Sequence, residues 1–218
     1  LGSGVTIMGA MLRAMKDLGL GEKFLELGAG TDVFSIYDAH GGELQEVPLP
    51  KVAGPDYPAM GGIRRPHLHQ ILREAALSEG TPVRLGVTVK ALDQTPDGVT
   101  AEFTDGSRGT YDLVVGADGI NSTVRALAYG DVGAPRYTGQ VVWRALIKRL
   151  DEYGVFGMFY AAHTKAGVNA VNDTEAYMFV TVTTPDPQRP ARDRWPALLK
   201  AQLDGFEGPI QRVREEEL

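Results

Sequence analysis

The stretch that decides the fold is DLVVGADGINSTVR, residues 112–125, where an apolar run ends in Gly-Ala-Asp-Gly and a polar segment follows at once. The run Leu113–Val115 is continuously apolar, which is typical of a strand buried on both faces of a sheet. Asn121 or Ser122 then offers a good N-cap for a helix over residues 122–129. The stretch therefore predicts a buried strand, a tight turn and a helix in direct succession, as in open α/β sheets.

The acidic residue of this turn, Asp118, lies between Gly116 and Gly119, which let the backbone turn tightly and leave room for a ligand. The N–H groups at the start of a helix favour an anion, and open α/β sheets bind ligands at the carboxyl ends of their strands. A carboxylate only accepts hydrogen bonds, so Asp118 would meet sugar hydroxyls or ordered water around a diphosphate. The spacing is equally compatible with a second interpretation, in which Asp118 caps the helix and nothing binds.

The rest of the chain alternates helices and strands up to about residue 133 and is richer in strands afterwards. The apolar periodicity and the Gly/Pro punctuation predict these elements: helices over 8–18, 66–78 and 195–203; a hairpin of Val33–Asp38 with Glu43–Val47; a loop over 48–62; and strands over 82–85, 87–94, 99–105, 110–117, 141–147, 155–162 and 176–184. This order predicts a mixed α/β fold, in which an α/β nucleotide-type domain is followed by an antiparallel sheet.

Composition and charge bound the function. The chain has 218 residues, of which 43% are hydrophobic and 23% charged, as is ordinary for a soluble globular protein. A net charge of −6 argues against a nucleic-acid partner, and no apolar run has the roughly 18–20 residues of a membrane span. The absence of cysteine excludes disulfides, thiolate metal sites and a cysteine nucleophile. Without a visible signal peptide, a cytoplasmic location is the default expectation.

Two arginines and two histidines surround the start of the predicted helix at 66–78. Arg64 and Arg65 precede it, and guanidinium groups at a helix start favour an anionic group such as a diphosphate, although a solvated pair of charges would give the same pattern. His67 and His69 are two residues apart, so they point in different directions on a helix and make a poor metal pair. We therefore predict no metal site.

Two further segments are weaker candidates. Gly2 and Gly4 of LGSGVTI would admit a cofactor at close range or simply form a turn. Trp143 and Arg144 lie on the predicted strand at 141–147, where we expect Trp143 in the core and Arg144 at the surface or in a pair between domains.

Four segments together resemble the FAD-dependent aromatic hydroxylases, the single-component flavoprotein monooxygenases of the para-hydroxybenzoate hydroxylase type. GADGINSTVR resembles the Asp-Gly motif of that family through Asp118, Gly119, Ser122, Val124 and Arg125. RPHLHQIL matches its R-x-x-L-x-x-x-L signature through Arg65, Leu68 and Leu72. GSGVTIMGAMLRAMKDLGL resembles the glycine-rich segment and helix after its second strand, and YTGQVVWRA the strand that enters its substrate domain. The segments occur in the expected order over residues 2–147.

The resemblance implies a partial FAD/NAD(P)-binding Rossmann-like domain, residues 1–27 and 61–135, and an antiparallel substrate-domain sheet with a late helix, residues 28–60 and 136–218. It implies that the Asp-Gly motif, Asp118 and Gly119, approaches the FAD diphosphate and the NAD(P)H path, that Arg65 lies by the ribityl–diphosphate part and that Val89 offers backbone groups near the adenine. Gly4 would belong to the glycine-rich approach to the cofactor. Arg125 would secure the geometry of the motif.

The implied activity is hydroxylation of an aromatic or related small organic substrate with FAD, NAD(P)H and O2, through a flavin C4a-hydroperoxide. The cofactor carries this chemistry. A substrate-side acid or base is therefore sought in the strand-rich region, where Tyr153, Tyr160, His163 and Tyr177 are candidates and none is singled out. The alternatives are another flavoprotein on the same scaffold, such as a halogenase or a prenyl reductase, or a non-catalytic nucleotide-binding remnant.

Several family features are missing between Leu1 and Leu218. They are the N-terminal GxGxxG, the acidic residue ending the next strand and the late Gly-Asp segment, and Ala10 stands where many relatives have asparagine. We therefore expect the chain to be the middle of such an enzyme. Alone it should be inactive and should bind FAD weakly or not at all. Substrate identity, the choice of NADH or NADPH and the oligomeric state do not follow from the sequence.

Overall fold

The computed structural model describes residues 3–185 and 190–218. The chain divides into two compact units, the first formed by residues 1–80 and 139–218 and the second by residues 81–138. This division by contacts differs from the predicted cofactor-domain and substrate-domain boundaries, which stay a prediction. Among the described residues, no helix is long and apolar enough to cross a membrane.

The elements follow one another in this order: β1 (Gly4–Met8), α1 (Gly9–Asp17), α2 (Gly21–Leu27), β2 (Ala29–Thr31), β3 (Val33–Asp38), β4 (Glu43–Pro48), β5 (Met60–Arg64), α3 (Arg65–Ser78), β6 (Val89–Thr95), β7 (Gly98–Phe103), β8 (Arg108–Tyr111), α4 (Thr123–Tyr129), β9 (Gln140–Lys148), β10 (Phe156–Tyr160), β11 (Thr164–Ala170), β12 (Glu175–Thr183), α5 (Trp195–Gln202) and α6 (Gly208–Glu216). The mixed α/β class with an antiparallel sheet is confirmed.

The first unit contains a small antiparallel sheet in the order β1-β5-β2. Its strands pack with α1, α2 and α3 around one apolar core, built by side chains such as Ile7, Leu12, Phe24, Ile63 and Ile71. Within the predicted helix at 8–18, Leu12 and Met15 are buried, as the periodicity indicates. Met8 is instead the last residue of β1, and its side chain is exposed. Helix packing therefore uses only part of the predicted apolar face.

The same unit contains a six-stranded sheet in the order β4-β3-β10-β11-β12-β9. Neighbouring strands are antiparallel except β3 and β10, which run parallel. One face, called the helix face, is covered by α5 and α6 and their connection; its core contains Phe159, Ala166, Val168, Met178, Val180, Leu199, Leu203, Phe206, Ile210 and Val213. The opposite face, called the aromatic face, presents Phe156, Met158, Gly167, Asn169, Tyr177 and Phe179. The alternation of side chains along each strand separates the two sets.

The second unit is smaller and contains an antiparallel sheet in the order β6-β7-β8 with α4 packed against β6. Ala101 of β7 is buried, while most other side chains of this unit are half-buried or exposed. Along residues 99–103 only Ala101 is buried and the other side chains are half-buried, so burial does not separate the predicted wet face from the opposite one.

Three predictions about strands were wrong. Residues 60–62 were assigned to a loop, but they belong to β5. A side chain at Gly61 would collide with the carbonyl oxygen of Ala29, and one at Gly62 with that of Ala170. Glycine at both positions therefore allows the close packing of β5 on its neighbours. Residues 82–85 form no strand. The strand predicted at 110–117 ends at Tyr111, so the apolar run beyond it is not part of a sheet.

Five further elements were missed: β1, α2, β2, β11 and α6. The sequence of β11, TKAGVNA, has small residues and little apolar periodicity. It forms a strand because β10 and β12 pair with it on both sides.

Candidate functional site

The motif turn, residues 116–125, joins the end of the apolar run to α4. The run itself is exposed: Leu113 has 75% and Val115 74% of its surface accessible. The prediction of a strand buried on both faces is therefore wrong for the described residues, where no neighbouring strand pairs with this run. An apolar run becomes a buried strand only when neighbours satisfy its backbone hydrogen bonds.

The carboxylate of Asp118 caps α4. Its Oδ2 accepts hydrogen bonds from the backbone N–H of Thr123 at 2.7 Å and of Val124 at 3.0 Å, and its Oδ1 accepts one from the hydroxyl of Ser122. The Ser122 hydroxyl in turn accepts from the N–H of Arg125 at 2.9 Å, so Ser122 is the N-cap, as predicted. Three N–H groups of the first helical turn are thus satisfied internally.

This geometry corrects the expectation of free N–H groups at the helix start. Because Asp118 and Ser122 occupy those donors, an anion cannot bind them in this arrangement. The hydrogen bond from Ser122, followed by the one from the Val124 N–H, lowers the pKa of Asp118 below its usual value. The carboxylate therefore stays ionised and neutralises the positive end of α4. The structure thus shows that Asp118 caps α4, and the approach of the motif turn to a cofactor stays a prediction.

Two further contacts close the motif turn. The guanidinium of Arg125 donates to the carbonyl oxygen of Ile120 at 2.7 Å, so this arginine secures the turn, as the resemblance implies. Gly119 has a φ of +84° and an open Cα, which is the conformation and the exposed backbone that glycine allows. At Gly116 a side chain would collide with Val124, so this glycine permits the turn to pack on the helix.

A recess of about 520 Å³ lies beside the motif turn and within the second unit. It is lined by Gly116, Gly119, Ser122, Val124, Arg125 and apolar or amide side chains of β6, β7 and α4. Val89 is not among its lining residues; it starts β6, opposite Phe103, next to a register shift between Val89 and Ala91. Gly119 and Arg125 therefore line the same recess, whereas Val89 lies outside it.

Gly4 and Arg65 lie close together in the first unit. Gly4 pairs with Arg64 across β1 and β5, and Arg65 begins α3 immediately afterwards. The two arginines differ: Arg64 contacts Glu175 at 3.2 Å, whereas exposed Arg65 has no ion-pair or hydrogen-bond partner among the described residues. Arg65 is thus the one of the two that is available to an anionic ligand.

The structure gives Gly4 a packing role. A side chain at this position would lie 2.3 Å from the ring of Tyr177 and 2.6 Å from Val171. The glycine therefore lets β1 lie against β12. Gly4 and Arg65 belong to the first unit, and Val89, Asp118 and Gly119 belong to the second.

The sequence did not predict a network of polar side chains formed by Thr6, Asn169 and Tyr177. The hydroxyls of Thr6 and Tyr177 share a hydrogen bond, and the Asn169 side-chain amide donates to the Thr6 oxygen at 2.9 Å. Asn169 is fully buried, and its Oδ1 has no hydrogen-bond partner among the described residues. Because Thr6 and Tyr177 are 171 positions apart, no local pattern could have revealed this network.

The network distinguishes Tyr177 among the four acid–base candidates. Tyr177 is buried and hydrogen-bonded. Tyr160 and His163 are exposed, and Tyr153 packs its ring against Tyr37 and Phe159. Within residues 3–185 and 190–218, no group of three or more histidine, cysteine, aspartate or glutamate side chains is placed to hold a metal ion.

Comparison with known proteins decides the family. The sequence matches the family described as FAD binding domain over residues 2–209, which is nearly the whole chain. The chain belongs to this FAD-binding family. It is 28% identical over 210 residues to a putative FAD-dependent monooxygenase, YetM, of Bacillus subtilis, covering 95% of this chain and 56% of the relative. It is 33% identical over 156 residues to 3-hydroxybenzoate 6-hydroxylase of Klebsiella oxytoca, covering 69% of this chain and 38% of the relative.

The fold of this family member is similar to a solved structure. The structure of Klebsiella pneumoniae HpxO complexed with FAD and uric acid superposes with a TM-score of 0.83 at 23% identity, covering 99% of this chain and 56% of that one. At this identity the likeness concerns the fold. Some relatives match nearly the whole of this chain, and the chain spans about half of their length.

Proposed function

We propose that the whole protein carrying this chain is an FAD-dependent monooxygenase that uses NAD(P)H and O2 to hydroxylate an aromatic or related small organic substrate. The observation that carries the proposal is the match to the FAD binding domain family over residues 2–209. Two relatives support it, because one is a putative FAD-dependent monooxygenase and the other is a 3-hydroxybenzoate 6-hydroxylase.

The residues of this chain fit part of such a cofactor. Arg65 is exposed at the first residue of α3 and has no described partner, which suits a diphosphate. Gly119 exposes its backbone beside a recess that Arg125 also lines. We assign Val89 a backbone contact and Gly4 a close approach near Arg65. Bound FAD would supply the redox chemistry of oxygen insertion.

Asp118 acts in this proposal through the motif turn. Its oxygens hold Ser122, Thr123 and Val124, so the carboxylate fixes the position of the Gly119 backbone and does not need to touch the cofactor. Tyr177 is the candidate on the substrate side, because its hydroxyl belongs to a buried network that can hold or move a proton between oxygen atoms.

The test is to purify the whole protein and record its absorption spectrum. We expect a yellow protein with bound FAD that oxidises NADH or NADPH, consumes O2 and adds one oxygen atom to an aromatic compound, detected by mass spectrometry. A colourless protein that cannot be reconstituted with FAD would overturn the proposal. Flavin-dependent halogenation or reduction of a substrate without oxygen insertion would also overturn it.

A further inference from the structure

The turn that connects β11 to β12, called the 171–175 turn, is held by hydrogen bonds within itself. The N–H of Val171 donates to the carbonyl oxygen of Glu175 at 2.9 Å, which closes the turn. The side-chain oxygen of Asn172 accepts from the N–H groups of Thr174 at 2.9 Å and of Glu175 at 2.7 Å. Side chains that bond to the backbone in this way fix the conformation of a turn. The carboxylate of Glu175 is thereby placed at the start of β12.

Two segments that we assign to the cofactor lie on this turn. Val171 is fully buried, and a side chain at Gly4 would lie 2.6 Å from it, so β1 lies directly against the turn. Arg64 pairs with Gly4 across β1 and β5, and Arg65 begins α3 immediately afterwards. The 171–175 turn therefore supports both the approach at Gly4 and the start of α3.

The contact between the turn and the start of α3 is an ion pair. Nη1 of Arg64 donates to the two carboxylate oxygens of Glu175 at 3.3 and 3.2 Å, and the Asn172 side-chain amide donates to one of them at 2.8 Å. The side chains of Arg64 and Glu175 are only 33% and 29% exposed. Charge-assisted hydrogen bonds of this kind are stronger than neutral ones, and burial reduces their screening by water. The pair therefore ties the end of β5 to the start of β12.

The two neighbouring arginines thus have different surroundings. The charge of Arg64 is balanced by Glu175, whereas the exposed side chain of Arg65 has no partner among the described residues. Because the two residues are consecutive, a fixed Arg64 also fixes the point at which the Arg65 side chain leaves the backbone. A ligand is bound more tightly when the groups that contact it are already held in place.

We propose that Glu175 is a positioning residue of the cofactor site: it holds Arg64 and thereby presents Arg65 to the diphosphate of FAD. This inference rests on the proposed function, in which Arg65 binds that diphosphate. Without the charge of Glu175, the cation of Arg64 would be partly buried and unpaired, which is unfavourable. The start of α3 would then shift to bring this cation into water, and Arg65 would move with it.

The experiment measures the dissociation constant of FAD from the apoprotein of the whole protein, by quenching of flavin fluorescence. Glu175→Gln should weaken FAD binding by about threefold to twentyfold, a size between those of exposed and buried ion pairs. Arg64→Met should have a similar effect, and Glu175→Asp, which keeps the charge, should recover part of the affinity. The control Asp204→Asn breaks the ion pair with Arg214 and should change the dissociation constant by less than about twofold.

Arg65→Gln separates positioning from a general structural role. On its own it should weaken FAD binding by about tenfold, because the diphosphate loses a charge-assisted hydrogen bond. In a protein that already carries Arg65→Gln, Glu175→Gln should weaken FAD binding by less than about twofold further, because the side chain that it positions is gone. A general loosening of the structure would instead add its full loss to that of Arg65→Gln.

Unchanged or tighter FAD binding in Glu175→Gln would overturn the inference. Full additivity with Arg65→Gln, or an unchanged affinity in Arg65→Gln alone, would overturn it as well. Circular dichroism confirms that each variant is folded, and Arg64→Met takes the place of a misfolded Glu175→Gln. An unaltered protein that binds no FAD would overturn both the proposed function and this inference, whereas one that binds FAD without inserting oxygen would overturn the function alone.

Discussion

The motif turn and the six-stranded sheet are held together in opposite ways. Every polar contact of the turn joins residues at most six positions apart, such as Asp118 to Val124. The sheet instead joins distant segments, and β3 pairs with β10 across more than one hundred residues. Local contacts make the geometry of the turn readable from sequence, but they bury little surface. Distant contacts build the core, and they make the sheet difficult to foresee.

The largest expected effect lies in the sheet. Phe159 is fully buried on the helix face and its ring stacks on Tyr37 at 4.8 Å. Phe159→Ala should lower the free energy of unfolding by about 3–5 kcal/mol, because it removes apolar contacts and leaves a cavity. Urea denaturation followed by circular dichroism measures the change.

Val115→Ala is the matched control from the other region. Val115 is apolar but 74% exposed, so its truncation should change the free energy of unfolding by less than about 0.5 kcal/mol. A loss comparable to that of Phe159→Ala would show that the apolar run is buried in solution, and would break the contrast between the two regions.

A smaller effect is expected at Gly167. A methyl group there would push the Phe179 ring from its place, so Gly167→Ala should lower the free energy of unfolding by about 1–3 kcal/mol. When Phe179 is already replaced by alanine, Gly167→Ala should lower the free energy of unfolding by less than half as much as it does in the original protein, because the colliding ring is gone. Additive costs in the double mutant would disprove the steric explanation.

Asp118→Ala should act locally on α4. The N–H groups of Thr123 and Val124 lose their acceptor, so their hydrogen exchange should become faster, while the amides of the six-stranded sheet keep their protection. Ser122→Ala should expose the Arg125 N–H in the same way. Nuclear magnetic resonance exchange measurements distinguish this from global unfolding, which would accelerate all amides together.

The same cap predicts a pH dependence. The pKa of Asp118 is lowered in the folded chain. The carboxylate therefore stabilises α4 fully when the pH is above the ordinary pKa of an aspartate, and this stabilisation is lost as the pH falls through the lowered pKa of the folded state. The amide shifts of Thr123 and Val124 should report an apparent pKa below about 3.9. A titration at or above that value would contradict the capping role.

The smallest effect concerns a surface pair. The hydrogen bond to Glu207, at 2.8 Å, raises the pKa of the His40 imidazole. This contribution is complete below about pH 6.5 and is lost as the pH rises through the folded value. Glu207→Gln should lower the pKa of His40, measured from its ring proton shifts, and an unchanged pKa would show that the pair does not form in solution.

The comparison also explains which predictions succeeded. The helix at 123–129, its Ser122 cap and the hairpin at 33–48 were predicted because caps, turn glycines and alternation are local signals. β11 and β5 were missed because their small residues form strands only where neighbouring strands pair with them. The candidate site shows the same division, since Asp118 was found from its motif whereas Thr6 and Asn169 were not.

The sequence by itself determined the FAD-binding family and the helix start of the motif turn, and it singled out Arg65, Asp118 and Gly119 as candidates, because motifs are local patterns of backbone freedom and charge. Tertiary structure alone decided that Asp118 holds the helix start, that Arg64 is paired while Arg65 has no partner among the described residues, and that Phe179, Arg144 and Lys165 lie on one face of the sheet. The physical reason is that hydrogen-bond partners and strand registers join residues far apart in the chain, and each donor or acceptor that is taken up in this way is no longer available to a ligand.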